Sequence, residues 1–267
     1  MKNKKVVLIT GCSSGIGREL SLLLACRGYE VIATARDVAT LEDLPVSLKL
    51  PLDVTDKESI SQAVKEAVSR YQRVDILVNN AGYSVRGALE EINLESIKSM
   101  FDVNVFGIIN MIQAVVPIMR MNHFGRIVNI GSISGKFTQP INGAYCASKH
   151  AVEAISDALR YELHNHNIQV TVIEPGPIQT RFFETMEIQS DKWMKNPASV
   201  YERLYALDAK HKEKQSYTLP KEAAEAICDI IEKEQLKSRY EVAVPCMYSS
   251  FARFPYFLRD YLMMNYR

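Results

Sequence analysis

Val6-Val7-Leu8-Ile9-Thr10-Gly11-Cys12-Ser13-Ser14-Gly15-Ile16-Gly17 is the stretch whose reading decides the fold of this chain. A short apolar, β-branched run meets three glycines spaced Gly-x-x-x-Gly-x-Gly, and a helical run over 16–27 follows. Glycines at such a turn let the backbone reverse tightly, approach a pyrophosphate closely and pack a helix on the sheet. Free N–H groups at the helix start, where the helix dipole is positive, then hold an anion. Any tight strand-to-helix turn favours glycine. The position of this one, between a first strand and a first helix, carries the nucleotide-binding reading.

The same rhythm continues outward. Apolar runs at 31–35, 48–52, 76–79, 127–130 and 170–173 predict strands, with helices at 57–72, 94–120 and 143–165. Both faces of those strands are apolar, which marks a parallel sheet covered by helices. Asp56, with Ser59, reads as a helix start. The expected fold is α/β: one doubly wound Rossmann domain over residues 1–267, its cofactor-binding part ending near 176. After Pro175-Gly176-Pro177 the alternation stops until a helix at 221–235 and a strand at 240–244. The intervening stretch, about 177–217, is rich in aromatics and Met and reads as a substrate lid.

With 32 basic and 31 acidic residues among 267, the net charge of +1 gives no reason to expect nucleic acid or an anionic membrane as partner. Cys12, Cys26, Cys146, Cys228 and Cys246 are odd in number, with no CxxC, and read as reduced thiols rather than a disulfide framework or metal site. The five histidines show no metal-ligand pattern. Met1-Lys2-Asn3-Lys4-Lys5 leads straight into the first strand, and no apolar run suggests a leader or a membrane span. A cytoplasmic protein is the expectation.

Tyr145 and Lys149 are four apart, and Ser132 lies thirteen residues before the tyrosine. On a helix over 143–165 that spacing places both side chains on one face. A nearby ammonium favours the phenolate and is expected to lower the tyrosine pKa, suiting it to proton transfer between an alcohol and a ketone. A Tyr/Lys pair on a solvated helix face gives the same spacing, and Ser132 equally suits a strand-end serine that satisfies local backbone.

The Thr10–Gly17 octet, Asn79-Asn80-Ala81-Gly82, Asn104, Ser132, Tyr145 with Lys149, and Pro175-Gly176 occur in the order found in the short-chain dehydrogenase/reductase family. The chain resembles its single-domain branch over residues 5–181. That resemblance implies a seven-stranded parallel Rossmann sheet, a nicotinamide cofactor, and Asn104, Ser132, Tyr145 and Lys149 as the catalytic set. It implies Tyr145 as general acid and base, Lys149 also on the nicotinamide ribose, and Ser132 on the carbonyl oxygen. Asn104 would interrupt its helix and support a water-linked proton path; its plain alternative is an amide satisfied by backbone. The loop of Gly11, Gly15, Ile16 and Gly17 is expected to hold pyrophosphate, and the Ser13 and Ser14 hydroxyls could donate to a 2′-phosphate. By the same resemblance Asp53, Val54, Asn80, Ala81 and Gly82 line the adenosine side. Pro175, Gly176, Ile178 and Thr180 lie near the nicotinamide.

The second predicted strand ends Ala33-Thr34-Ala35-Arg36-Asp37. NAD-selective Rossmann proteins put a carboxylate at the strand end for the ribose 2′-hydroxyl. Here that place falls to Ala35, and the Arg36 guanidinium suits a 2′-phosphate, so NADP(H) is preferred and NAD(H) possible. Asp37 is the complication, able to neutralise Arg36 or take the ribose itself, whereas Arg18 reads as solvated. The lid (Phe182, Phe183, Met186, Trp193, Met194, Tyr201, Leu204, Tyr205) and the tail (Tyr248, Phe251, Phe254, Tyr256, Phe257, Tyr261) point to a small hydrophobic carbonyl or alcohol substrate, resembling steroid, retinoid or lipid ketones. The resemblance also suggests a homodimer or homotetramer. A catalytically silent NADP(H)-binding regulator on the same fold, and an NAD-linked alcohol dehydrogenase, are the alternatives. A sugar-nucleotide epimerase would call for a Gly-x-x-Gly-x-x-Gly loop.

Overall fold

The computed structural model describes residues 4–213 and 215–265. Residues 1–3, 214 and 266–267 lie outside it, and with them the start of the N-terminal segment read above. In chain order the elements are β1 (Val6–Ile9), α1 (Gly15–Cys26), β2 (Glu30–Ala35), β3 (Leu48–Pro51), α2 (Lys57–Tyr71), β4 (Ile76–Asn79), α3 (Leu94–Phe101) and α4 (Gly107–Met121). They continue as β5 (Gly125–Ile130), α5 (Gly143–Glu162), β6 (Ile168–Pro175), α6 (Arg181–Met194), α7 (Glu202–Glu213), α8 (Pro220–Ile231), β7 (Arg239–Val242), α9 (Cys246–Ala252) and α10 (Tyr256–Met264). All seven strands pair in parallel in the order β3-β2-β1-β4-β5-β6-β7. This is the doubly wound Rossmann sheet that the strand pattern predicts.

Alternate residues of each strand feed separate cores. Leu8, Leu77 and Ile127 pack against α2, α4 and α5 on one face. Val7, Val78 and Val128 pack against α1 and α8 on the other. The strand order reverses between β1 and β4, and the crevice at such a switch point is where a doubly wound sheet takes its ligand. Two Asn residues brace it: Asn79 Nδ2 donates to Asn129 Oδ1 at 2.8 Å, joining β4 to β5 at their carboxyl ends.

Three expectations need correction. The helix expected over 94–120 is two helices separated by a π-turn at Asp102–Phe106, centred on Asn104. The lid contains two helices, α6 and α7, and the tail two more, α9 and α10. The Leu94–Met121 run also contains an 18-residue window, of mean hydropathy 1.6, long and apolar enough to pass as a membrane span by composition. In this fold Met111, Val115 and Met119 of that run pack on the sheet.

Candidate active site

The loop after β1 is braced from beneath. Asn80 Nδ2 donates to the carbonyls of Thr10 (2.9 Å) and Gly11 (3.0 Å), while Thr10 Oγ1 accepts the N–H groups of Asn80 and Ala81. A Cβ on Gly17 would lie 2.5 Å from the Gly11 carbonyl oxygen, so only glycine lets α1 begin this close to the loop. Ser14, the N-cap of α1, makes no side-chain capping bond, and the first turn holds no acidic residue. The helix therefore presents uncapped N–H groups and its positive end to a cleft of about 820 Å³ lined by Ser13, Ser14, Gly15, Arg18, Thr180 and Arg181. Ile16 turns inward to the core. A backbone cradle with free donors, Arg181 beside it and no carboxylate in the first turn of α1 fits the pyrophosphate of a dinucleotide, although Asp43, paired with Arg18, and Glu184 also line the cleft.

Around the cleft, several residues expected to touch cofactor are held by the protein itself. Asp53 Oδ1 accepts the Thr55 N–H (2.9 Å) and hydroxyl (2.7 Å), and Val54 is buried against Gly107. Asn80 faces the glycine loop, as described, and Ala81 packs half-buried on the core, leaving Gly82 exposed. Pro175 and Gly176 join β6 to β7, the Gly176 N–H donating to Val242 at 2.9 Å. Ile178 is buried in a bridge to Thr218. Thr180 caps α6 by accepting the Phe182 N–H, and its methyl lies 2.9 Å from where a Gly15 Cβ would stand. Arg18 is not solvated: it pairs with Asp43 and donates to the Thr40 carbonyl. Asp37 does not neutralise Arg36, because its carboxylate accepts the Ala39 N–H at 3.0 Å to start a 3-10 turn. Arg36 is exposed and forms no ion pair among the described residues.

Ser132, Tyr145 and Lys149 meet at the carboxyl end of β5. Ser132 follows β5 and starts a short 3-10 turn, its Oγ accepting the Ser134 N–H (3.1 Å) while standing near enough to the Tyr145 hydroxyl to favour its phenolate. The backbone role and the contact with the phenol therefore coexist. Tyr145 and Lys149 lie one turn apart on α5, and the ammonium stands 5.8 Å from the phenol ring centroid. Lys149 Nζ donates to the Ile130 carbonyl at 2.9 Å. Asn104 is fully buried and its amide is occupied: Oδ1 accepts the Tyr83 N–H (3.0 Å), and Nδ2 donates to the Tyr83 carbonyl (2.8 Å) and Ser148 Oγ (3.2 Å). Those bonds tie the π-turn to the Asn80–Gly82 segment and to α5.

The electrostatics differ from the expectation of a lowered phenol. Burial pushes the Tyr145 hydroxyl well up from the ordinary phenol value, and the bond to Ser132 pulls it back only in part. Burial also lowers Lys149, to about 8, with Glu153 opposing that shift. The phenol thus holds its proton firmly at neutral pH.

The lid closes over this centre. Phe182 packs edge-on to Tyr145, with ring centroids 5.7 Å apart, and Phe183 packs on Tyr217. The lid is fastened to the segment after Gly82: the Trp193 indole N–H donates to the Arg86 carbonyl, and Arg86 forms a two-pronged ion pair with Asp208 (2.6 and 2.9 Å). Tyr205 Oη accepts the Ala88 N–H and donates to Glu91. In the tail, Tyr248 and Phe251 pack on Phe137, five residues beyond Ser132, whereas α10 exposes Tyr256, Phe257 and Tyr261. Arg86 and Asp208 were not foreseen; the signal was a charge inside the otherwise apolar Tyr83–Ala88 run.

Gly87 sits at φ +155°, and a Cβ there would stand 2.5 Å from the Trp193 indole nitrogen. Gly87→Ala is therefore expected to dislodge Trp193, lowering stability by about 1–3 kcal/mol and raising KM for the second substrate several-fold while cofactor affinity holds. Thermal unfolding and steady-state kinetics check this; unchanged Tm and KM would contradict the fastening.

Comparison with known proteins places this site in context. Residues 5–191 match the short chain dehydrogenase family. The chain belongs to that family. It is therefore an oxidoreductase of the short-chain type. It is 36% identical to the 3-ketodihydrosphingosine reductase of Bacteroides thetaiotaomicron over 97% of this chain and 95% of that one. It is 40% identical to human 17-beta-hydroxysteroid dehydrogenase type 1 over 68% of this chain and 59% of that one. Among solved structures, the actinorhodin polyketide ketoreductase with NADPH superposes with a TM-score of 0.77 at 30% identity, covering 91% of this short-chain dehydrogenase and 97% of that chain.

Proposed function

We propose that this short-chain dehydrogenase is an NADP(H)-dependent reductase of a bulky, apolar, lipid-like ketone, with the reverse alcohol oxidation available to it. The observation that carries the reading is the buried Tyr145 hydroxyl, next to Ser132 and beside Lys149, at the same sheet edge as the uncapped glycine loop. A bound nicotinamide would supply hydride to the carbonyl carbon. Tyr145 gives its proton to the carbonyl oxygen, and burial keeps that proton in place beforehand. Ser132 orients the oxygen, and its bond to the phenol, together with the nearby Lys149 charge, stabilises the phenolate left behind. Asn104 positions these groups by locking the π-turn against α5.

The exposed, unpaired Arg36 after a carboxylate-free strand end supports NADP(H) over NAD(H). The ketoreductase described above was solved with NADPH, in accord with that preference. Phe182 on the phenol, with Phe183 and then Tyr217 packed in series behind it, supports an apolar substrate, as do relatives named for a ketosphingoid base and a hydroxysteroid. Loss of NADPH absorbance with a panel of long-chain and polycyclic ketones tests the proposal. Turnover of at least one class is expected; NADPH binding without turnover of any ketone would instead mark a cofactor-sensing regulator.

A further inference from the structure

We infer that Glu153 is a positioning residue for the Tyr145–Lys149 pair: a buried counter-ion that keeps Lys149 an ammonium. The inference rests on the function proposed above. Glu153 follows Lys149 by one turn of α5, on the same helix face. Both are buried, at 7% and 6% exposure. Glu153 Oε2 is anchored by Arg239 Nε at 2.7 Å. Its Oε1 is buried with no hydrogen-bond partner and lies 3.4 Å from where a Gly131 Cβ would stand. Gly131 is the residue after Ile130, whose carbonyl accepts the Lys149 ammonium. The unpaired carboxylate oxygen and the ammonium thus sit against adjacent backbone positions. Gly135 seals them in: a Cβ there would lie 3.1 Å from the Lys149 carbonyl and 3.2 Å from Glu153 Cγ.

Other charged groups surround this pair. Lys136, after the 3-10 turn, stands 3.7 Å from Glu153 and 3.0 Å from Glu174 of β6. Arg239 of β7 also pairs with Asp157 of α5 at 2.6 Å, and Arg160 of α5 pairs with Asp157 from the other side. Burial raises Glu174 above the usual carboxylate range, and the Glu153 charge adds to the rise. Burial pulls Lys149 down, and Glu153 is the charge that opposes it. A desolvated ammonium needs such a counter-charge to persist above neutral pH.

The test is the pH dependence of kcat/KM for ketone reduction at saturating NADPH. The wild-type alkaline limb is expected near the Lys149 value of about 8. Glu153→Gln keeps a hydrogen-bonding oxygen for Arg239 but loses the charge, and is expected to move that limb to lower pH by about 1 unit. Glu153→Asp should return the limb toward wild type, and Glu174→Gln should leave it in place. If Glu153→Gln does not fold, Glu153→Gln with Arg239→Gln leaves two neutral partners; loss of the guanidinium offsets part of the effect, so a smaller displacement in the same direction is expected. An unmoved limb in the neutral variant, or an Asp variant that behaves as Gln does, overturns the counter-ion role. Lys149→Met is measured alongside: retained activity there would overturn the Tyr145–Lys149 reading itself, whereas its inactivity with an unmoved Gln limb overturns only the inference about Glu153.

Discussion

Tyr145→Phe is expected to bind NADPH nearly as wild type does while turning over two to four orders of magnitude more slowly, roughly the range for loss of a positioned general acid. The substitution removes one oxygen and keeps the ring that packs on Phe182. No other described side chain is placed to give this proton in its stead: Ser132 is an ordinary alcohol, and Lys149, although lowered to about 8, directs its ammonium to the Ile130 carbonyl. The cofactor cradle is made by α1, β1 and the Asn80 brace, so it should survive intact. The cost to folding is about 1 kcal/mol, the net value of one hydrogen bond. Fluorescence titration with NADPH and steady-state kinetics separate the two effects. Turnover within a few-fold of wild type would remove Tyr145 from the chemistry.

Ala35→Asp combined with Arg36→Ala is expected to invert cofactor choice. Arg36 is exposed after the end of β2 with no ion-pair partner among the described residues, and the Asp37 carboxylate accepts the Ala39 N–H. Removing the guanidinium forfeits a charge-assisted contact to the 2′-phosphate of about 1.5–3 kcal/mol, roughly ten- to a hundredfold in affinity. The new carboxylate repels that phosphate and accepts from a 2′-hydroxyl, so NADH should gain as NADPH loses. The ratio of kcat/KM for the two cofactors measures this. An unchanged ratio would place 2′-phosphate recognition elsewhere, with Arg18 the next residue to test.

Much of this was legible before any coordinates. The seven strands announce themselves as short apolar runs, and the glycine spacing after β1 locates the crevice, because those signals are local. The π-turn was not derivable from residues 94–121, whose helical pattern continues without a break. The family resemblance anticipated the interruption, but its cause is Asn104 bonding the backbone of Tyr83, 21 residues earlier. The lid's fastening was hidden for the same reason, since Trp193 meets Arg86 across 107 positions. The direction of the Tyr145 shift is the reverse of the expectation because spacing shows a neighbouring charge and says nothing of desolvation, the largest cause here. Glu153, four residues after Lys149, was visible in the sequence. Its burial depends on four separate segments converging.

The whole account depends on a phenol that surrenders its proton as hydride reaches the neighbouring carbon. Single-turnover oxidation of NADPH by a reducible ketone, followed in light and heavy water with protiated and deuterated cofactor, addresses that step directly. The wild-type enzyme should slow in response to both substitutions, and the solvent effect should vanish in the residual rate of Tyr145→Phe. A wild-type rate that responds to deuterated cofactor but ignores heavy water would contradict it.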